Sequence, residues 1–241
     1  AACANRLFPE LDCVTWPDAA SERYLTERLA ETDAVVHLAG ETIAKRWTAA
    51  RKRRIYESRV ETTRTLIDCL ASVRERPVVF IGASAVGIYG PTDEWVSEED
   101  GPGNDFLARV VVDWEAEARR ARNLGLRVVH LRTGVVLSRE GGLLQLMLQP
   151  FRLGLGGSIG SGRQWLPWIH VPDWVNLVMH VLSDERAAGP INAVAPAPVR
   201  MQDFAETLGR VLNRSVRFRI PAQLVRLALG EMSMLVLTGQ R

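Results

Sequence analysis

The 241-residue chain is poor in the features that announce several large classes of protein, and each shortage removes one. Its three cysteines, Cys3, Cys13 and Cys69, are odd in number and lack ligand-like spacing. That pattern argues against a disulfide framework or a bound metal and fits a reducing compartment. No apolar run is long enough to cross a bilayer, and the N-terminus lacks a signal-peptide layout, so a cytoplasmic protein with no membrane partner is expected. Charge of one sign is not in excess either: 30 Lys and Arg stand against 28 Asp and Glu. A net charge of +2 does not make the whole chain a polyanion binder. Internal repeats and low-complexity linkers are absent. What is present is the composition of a globular protein, 47% hydrophobic and 24% charged, in a chain long enough to bury a sizeable core.

Short β-branched runs alternate with longer helical patterns, which predicts an α/β fold with a Rossmann-like, doubly wound parallel sheet. The clearest strands are Ala34–Leu38, Val78–Ile81 and Val128–Leu131, with helices at about 21–31, 47–73 and 105–123 between them. In the last helix Phe106, Val110, Trp114 and Ala118 recur every four residues behind a cap at Asn104. After residue 138 the pattern changes. A Gly-rich stretch precedes WIHVPDWVNLVMHVL, then a strand-like INAV, a helix from about 201 to 212, a strand-like VRFRI and a helix after Pro221. This half reads as a smaller substrate lobe with some sheet strands. The ending Gly239-Gln240-Arg241 reads as cut rather than finished.

Three strands end in small or polar residues, HLAGE, IGASAVGIYG and LRTGVVLS. Ligands of open parallel sheets sit beyond such carboxyl ends, so three in register point to a shared site. The helix opening KRWTAARKRRIYESR carries a basic run that is mostly a solvated face, although Arg54 and Arg59 can turn toward a phosphate-bearing ligand. No aromatic platform accompanies the charge, so nucleic acid is not an expected partner. Gly154, Gly156, Gly157, Gly160 and Gly162 fit neither G-x-G-x-x-G nor the P-loop and read as a mobile covering loop or plain turns. Ser84 in GASAVG is one residue too long for a hydrolase nucleophile elbow, and Asp173 and His180 share one helix, so a serine hydrolase is a remote alternative. His37 and His130 lie in apolar strands and read as satisfied core residues, whereas His170 enters the segment placed over the pocket.

Together HLAGETIAKRW, SRVETTRTLI, SAVGIYG, DFLARVVVDWEAEA, LRTGVVLS, PFRLGLGGSIGSGRQWLPWIHVPD and LGEMSMLVLTGQR resemble the epimerase-family, extended-type short-chain dehydrogenase/reductases, over about residues 10 to 241. The resemblance implies an NAD(P)-binding Rossmann-like domain over 1–138, lacking its first β-α-β unit and opening near the third strand at LDCVTW. A partial substrate lobe over 139–241 follows. It implies NADP as cofactor, with NADPH preferred over NAD, held by Leu38, Ala39, Gly40, Arg54, Arg59, Ser84 and Val135. It also implies a small-molecule substrate of unknown identity and a monomer or homodimer.

The same resemblance exposes departures. The family's Tyr-x-x-x-Lys pair falls on Phe106 or Leu107 and Val110 or Val111, which supply neither a phenol nor an amine. Its diphosphate arginine falls on Leu166, with Arg163 one turn away as a substitute. Ser84 remains as the catalytic hydroxyl, with Asp105, Arg109 or His170 standing in for the proton donor and Trp165 and Trp168 walling the substrate pocket. The expected function is an NADP(H)-binding oxidoreductase or epimerase-like protein. The alternative is a noncatalytic NADPH-dependent binding or scaffold protein.

Overall fold

The computed structural model describes residues 9–11, 19–216 and 218–241. Helix α1 (Ala19–Leu29) leads into strand β1 (Ala34–His37), followed by α2 (Ala49–Glu57), α3 (Val60–Ser72) and β2 (Val79–Ala85). A short 3-10 turn (Val86–Tyr89) and a loop precede α4 (Phe106–Arg119), after which β3 runs from Arg127 to Thr133. The segment 12–18, which holds most of LDCVTW, lies outside the described residues.

The sequence patterns explain this layout. Phe80 and Val128 project to one face of the sheet and pack with Leu66, Ile67 and Leu70 of α3 and Ala118 of α4. Val79, Ile81, Val129 and Leu131 project to the other face, against Val178 and Val181 of α6 (Val171–Ser183). Two-faced burial accounts for the nearly continuous apolar runs. Strand β8 (Gly189–Ala193) completes a four-stranded parallel sheet in the order β1-β2-β3-β8. Helix α6 and strand β8 therefore belong to the sheet layers although they follow residue 138 in sequence.

Strand β4 (Val135–Leu137) continues the chain directly from β3, and the remaining elements, called the lobe below, are α5 (Gly142–Arg152), β5 (Gly157–Ile159), β6 (Trp165–Leu166), β7 (Trp168–His170), β9 (Val199–Arg200), α7 (Met201–Val211), β10 (Phe218–Ile220), α8 (Ala222–Leu229) and α9 (Met234–Leu237). They pair as β4-β7, β5-β10 and β6-β9. Met147 and Phe151 of α5 and Met201, Ala205 and Leu208 of α7 form its core.

Three local readings are corrected by the structure. The helix expected over 47–73 is two: the Ile55 carbonyl, the acceptor that the Arg59 backbone N–H would use in a continuous helix, instead accepts from Arg59 Nη1 and Ser58 Oγ, each at 3.2 Å. Helix α4 is capped by Asp105 rather than Asn104: Asp105 has extended backbone and its Oδ1 accepts from the Ala108 N–H at 2.9 Å. The glycine stretch is not a loose loop, since Gly157–Ile159 form β5 alongside β10. A Cβ on Gly157 would stand 2.1 Å from the Phe218 carbonyl oxygen, so glycine there permits a close backbone approach.

The two strand histidines differ. His37 Nε2 lies 3.0 Å from Thr63 Oγ1, a satisfied core residue as read from sequence. His130 is buried too, yet neither ring nitrogen has a hydrogen-bond partner. Burial holds each pKa at about 4, below the ordinary 6.5; around His130 Glu115 opposes that shift, and Arg119, Arg122 and Arg132 add to it. A folded-state pKa below the unfolded value means the stabilisation is complete above 6.5 and is lost as pH falls toward 4. Each shift corresponds to about 3 kcal/mol. Urea unfolding at pH 7 and pH 4.5 is expected to show a smaller acid-induced loss in His130→Leu than in the parent; equal losses would contradict this.

Candidate functional site

Beyond the carboxyl ends of β2 and β3 lies a cavity of about 180 Å³. Its sheet-side wall is Ala85–Gly87 and Thr133–Val135; its lobe-side wall is Gln164–Pro167, Met201, Met234–Val236 and Thr238–Gln240. Ile43, Trp47, Phe106 and Leu107, packed in one apolar cluster, also line it. The walls meet where β4 pairs with β7. The Val135 N–H donates to the Pro167 carbonyl at 2.7 Å, and a Cβ on Gly134 would stand 2.3 Å from that same oxygen.

The cavity's lining is chemically quiet. Asp105 is its one charged residue among the described lining, and one of its oxygens caps α4. Thr133 Oγ1 donates to the Leu131 carbonyl and accepts from Trp174 Nε1, while Thr238 Oγ1 donates to Met234. Gln164 Nε2 donates to the carbonyls of Ile159 and Val236 at 2.9 and 2.8 Å. At the helix start expected to carry Tyr-x-x-x-Lys, Phe106 and Leu107 face the cavity while Val110 and Val111 are buried in the packing behind it.

Ser84 is placed elsewhere. Its side chain is buried and its Oγ donates to Glu115 Oε1 at 2.6 Å, whereas the next residue, Ala85, lines the cavity. Adjacent strand residues face opposite sides, so only one of the pair can point into the site. Ser84 instead joins a buried network. Arg132 meets Glu115 with two hydrogen bonds of 2.9 and 3.0 Å, and its Nη1 also donates to Tyr89 Oη at 2.9 Å. Tyr89 Oη donates to Asn192 Oδ1, and the Asn192 N–H donates to Glu98. Burial alone would raise the Glu115 pKa; the hydrogen bonds from Arg132 and Ser84 outweigh it and hold the carboxyl below its ordinary value. This commitment also removes the nucleophile geometry of a hydrolase. His180 sits on α6, against the opposite face of the sheet.

The other expected residues divide between the cavity and its surroundings. Val135, Asp105 and Trp165 line it. Arg163 borders a neighbouring groove with Pro91, Thr92 and Asp93. Trp168 packs into the lobe core and donates to the Ala197 carbonyl. Arg109 and His170 are exposed, the former bonded to the Asn104 carbonyl, the latter preceding α6. Leu38, Ala39 and Gly40 form an exposed turn at the end of β1. Arg59 lies against this turn: a Cβ on Gly40 would come within 3.1 Å of its guanidinium carbon. That guanidinium lies over the Trp114 ring and donates to the Glu41 carbonyl, and its burial lowers its pKa against the pull of Glu41. Arg54 is exposed on α2.

Glu115, Arg132, Tyr89 and Asn192 were not singled out as a set by the sequence reading. A signal for two of them existed: Arg132 interrupts an apolar strand and Glu115 interrupts an apolar helix stripe, and opposite charges at buried positions are normally paired.

A parallel sheet with a cavity beyond its strand ends defines a Rossmann-like α/β protein. The chain belongs to the NAD dependent epimerase/dehydratase family, whose model matches residues 7–194. It is 38% identical over 235 residues to an epimerase family protein of Staphylococcus haemolyticus, covering 97% of this chain and 77% of that protein. To the chloroplastic SDR39U1 homolog of Arabidopsis thaliana it is 41% identical over 243 residues, covering 99% and 69%. The crystal structure of human epimerase family protein SDR39U1 (isoform 2) with NADPH superposes with a TM-score of 0.82 at 35% identity, covering 89% of this chain and 76% of that one. Among the described residues no helix is long and apolar enough to cross a membrane.

Removing one partner of the buried pair is expected to be costly. Glu115→Gln strands the Arg132 charge and should lose about 3–5 kcal/mol in urea unfolding, with partial recovery in Glu115→Gln/Arg132→Met. Ser84→Ala should lose about 1–3 kcal/mol through the missing bond to the carboxylate. A serine acting at the cavity would instead leave stability unchanged when removed.

Proposed function

We propose that the chain is an NADP(H)-binding protein of the oxidoreductase/epimerase type whose small-molecule substrate enters the strand-end cavity beside the cofactor. The observation that carries this reading is the juxtaposition of the exposed Leu38–Gly40 turn with Arg59, on the same sheet edge as the cavity. Gly40 fits a close approach, since it leaves the guanidinium room beside bare backbone. Leu38, Ala39 and Gly40 would receive the adenosine and pyrophosphate side, Arg59 would supply positive charge, and Ala85 and Val135 would bound the nicotinamide. NADPH, the ligand named for the human neighbour, would be preferred over NAD and would supply hydride. The residues here would hold and orient the reactants and keep water out.

A second reading is favoured by a specific observation. Among the described lining residues there is no Tyr, Lys, His or Cys to pass a proton, and the Asp105 carboxylate is engaged in capping α4. A noncatalytic, NADPH-dependent binding or scaffold protein would retain the cofactor and dispense with that group. Under either reading the protein works in the cytoplasm or an equivalent reducing compartment.

Titration with NADPH is expected to give a saturable fluorescence change, weakened about 10-fold or more by Arg59→Ala if a charge-assisted contact of about 1.5–3 kcal/mol is lost. No saturation in the parent would overturn cofactor binding. Transfer of label from stereospecifically deuterated NADPH to any carbonyl in a substrate panel would select the oxidoreductase reading; persistent absence of transfer with intact cofactor binding would select the scaffold.

A further inference from the structure

The cavity is not built for a phosphate-bearing substrate. Trp47, Phe106, Leu107, Leu166, Met201 and Met234 present carbon to it. Its volume of about 180 Å³ is close to that of apolar cavities of about 150 Å³ that take a single benzene ring. Among the described lining residues none is Arg, Lys or His, so a diphosphate placed there would lose its water without gaining a counter-charge.

Among the described lining residues little hydrogen-bonding capacity is left, the buried Trp165 Nε1–H being without a partner. Thr133 and Thr238 are bonded within the protein, and both Gln164 amide protons go to backbone carbonyls, which leaves its Oε1, 3.5 Å from Ser161 Oγ, with little competition. Of the nearby arginines, Arg163 is exposed on the neighbouring groove, and Arg200 and Arg241 pack on aromatic rings rather than aim inward. Arg200 lies 3.7 Å over the Trp165 ring and bonds to Asp93 and to the Arg163 carbonyl. Arg241 lies over Trp95 and Trp165.

We infer that this cavity takes an uncharged, ring-sized, largely apolar molecule, and that a nucleoside diphosphate is not its ligand. The inference rests on the proposed cofactor placement in one respect: the nicotinamide lies beside this space and not within it. Its specificity-determining residues are Ile43 and Met234, both in the lining: bulk at Ile43 reduces the cavity, and loss of the Met234 side chain enlarges it.

The test uses cyclohexanone and UDP-glucose as probes, read by saturation-transfer NMR on the purified full chain with and without saturating NADPH. Cyclohexanone is expected to bind in both states and UDP-glucose in neither. Ile43→Trp should weaken cyclohexanone binding 10-fold or more while its NADPH titration stays at the parental value. Met234→Ala should shift preference toward 4-ethylcyclohexanone by several-fold. Saturable binding of UDP-glucose, or cyclohexanone binding indifferent to both substitutions, overturns the inference. So does displacement of cyclohexanone by NADPH, which would mean that the nicotinamide itself fills the space. Should NADPH fail to bind at all, the cofactor reading falls separately, and the cofactor-free titrations still decide what the cavity takes.

Discussion

One buried ion pair organises the sheet end on which everything else is placed. Glu115, from helix α4, and Arg132, from strand β3, meet through two short hydrogen bonds in the interior. Through Ser84, Tyr89 and Asn192 the same pair reaches β2, the turn after β2 and β8. Three parallel strands thus have their carboxyl ends referred to one carboxylate. Two ions taken from water need many partners to recover the cost of desolvation, and this pair has them. Polar atoms of the kind a reactive cleft uses are consumed here in fixing its frame.

That division of labour explains the character of the cavity. Polar chemistry is concentrated behind the strands, on the α4 side, while the space in front of them is walled mostly by carbon and by hydroxyls already bonded to the protein. At the edge, by contrast, Arg59 lies next to exposed backbone at Gly40, held by Trp114 and the Glu41 carbonyl. The charge available for a phosphate and the apolar space available for a small molecule therefore lie in different places.

Much of the architecture was legible in the sequence because it rests on periodicity. Strands β1, β2 and β3 and helices α1, α4 and α7 fall where apolar spacing puts them, within a few residues. What was not legible depends on contacts between distant segments. The break between α2 and α3 falls where the Ser58 and Arg59 side chains take up the Ile55 carbonyl, and β5 was hidden because its glycine answers to Phe218 more than sixty residues later. The site suffers the same limit at finer scale. Alternation along β2 states that Ser84 and Ala85 face opposite ways, but only the position of Glu115 decides which of them faces the protein interior. The lining of Phe106, Leu107 and Val135 was readable from the strand ends and helix start, whereas the contribution of Met234–Gln240 required the chain to return from far away.

Gly134 carries a consequence of its own. The sheet and the lobe come together at this residue at a separation that leaves room for a hydrogen atom and nothing larger. The gauge of the cavity is thus set by the absence of a side chain. Any lateral substitution there would act as a wedge, prying Pro167 from Val135 and widening the mouth without touching a lining group. Among variants of this chain, breadth of ligand tolerance should therefore be sought at this seam as much as in the walls.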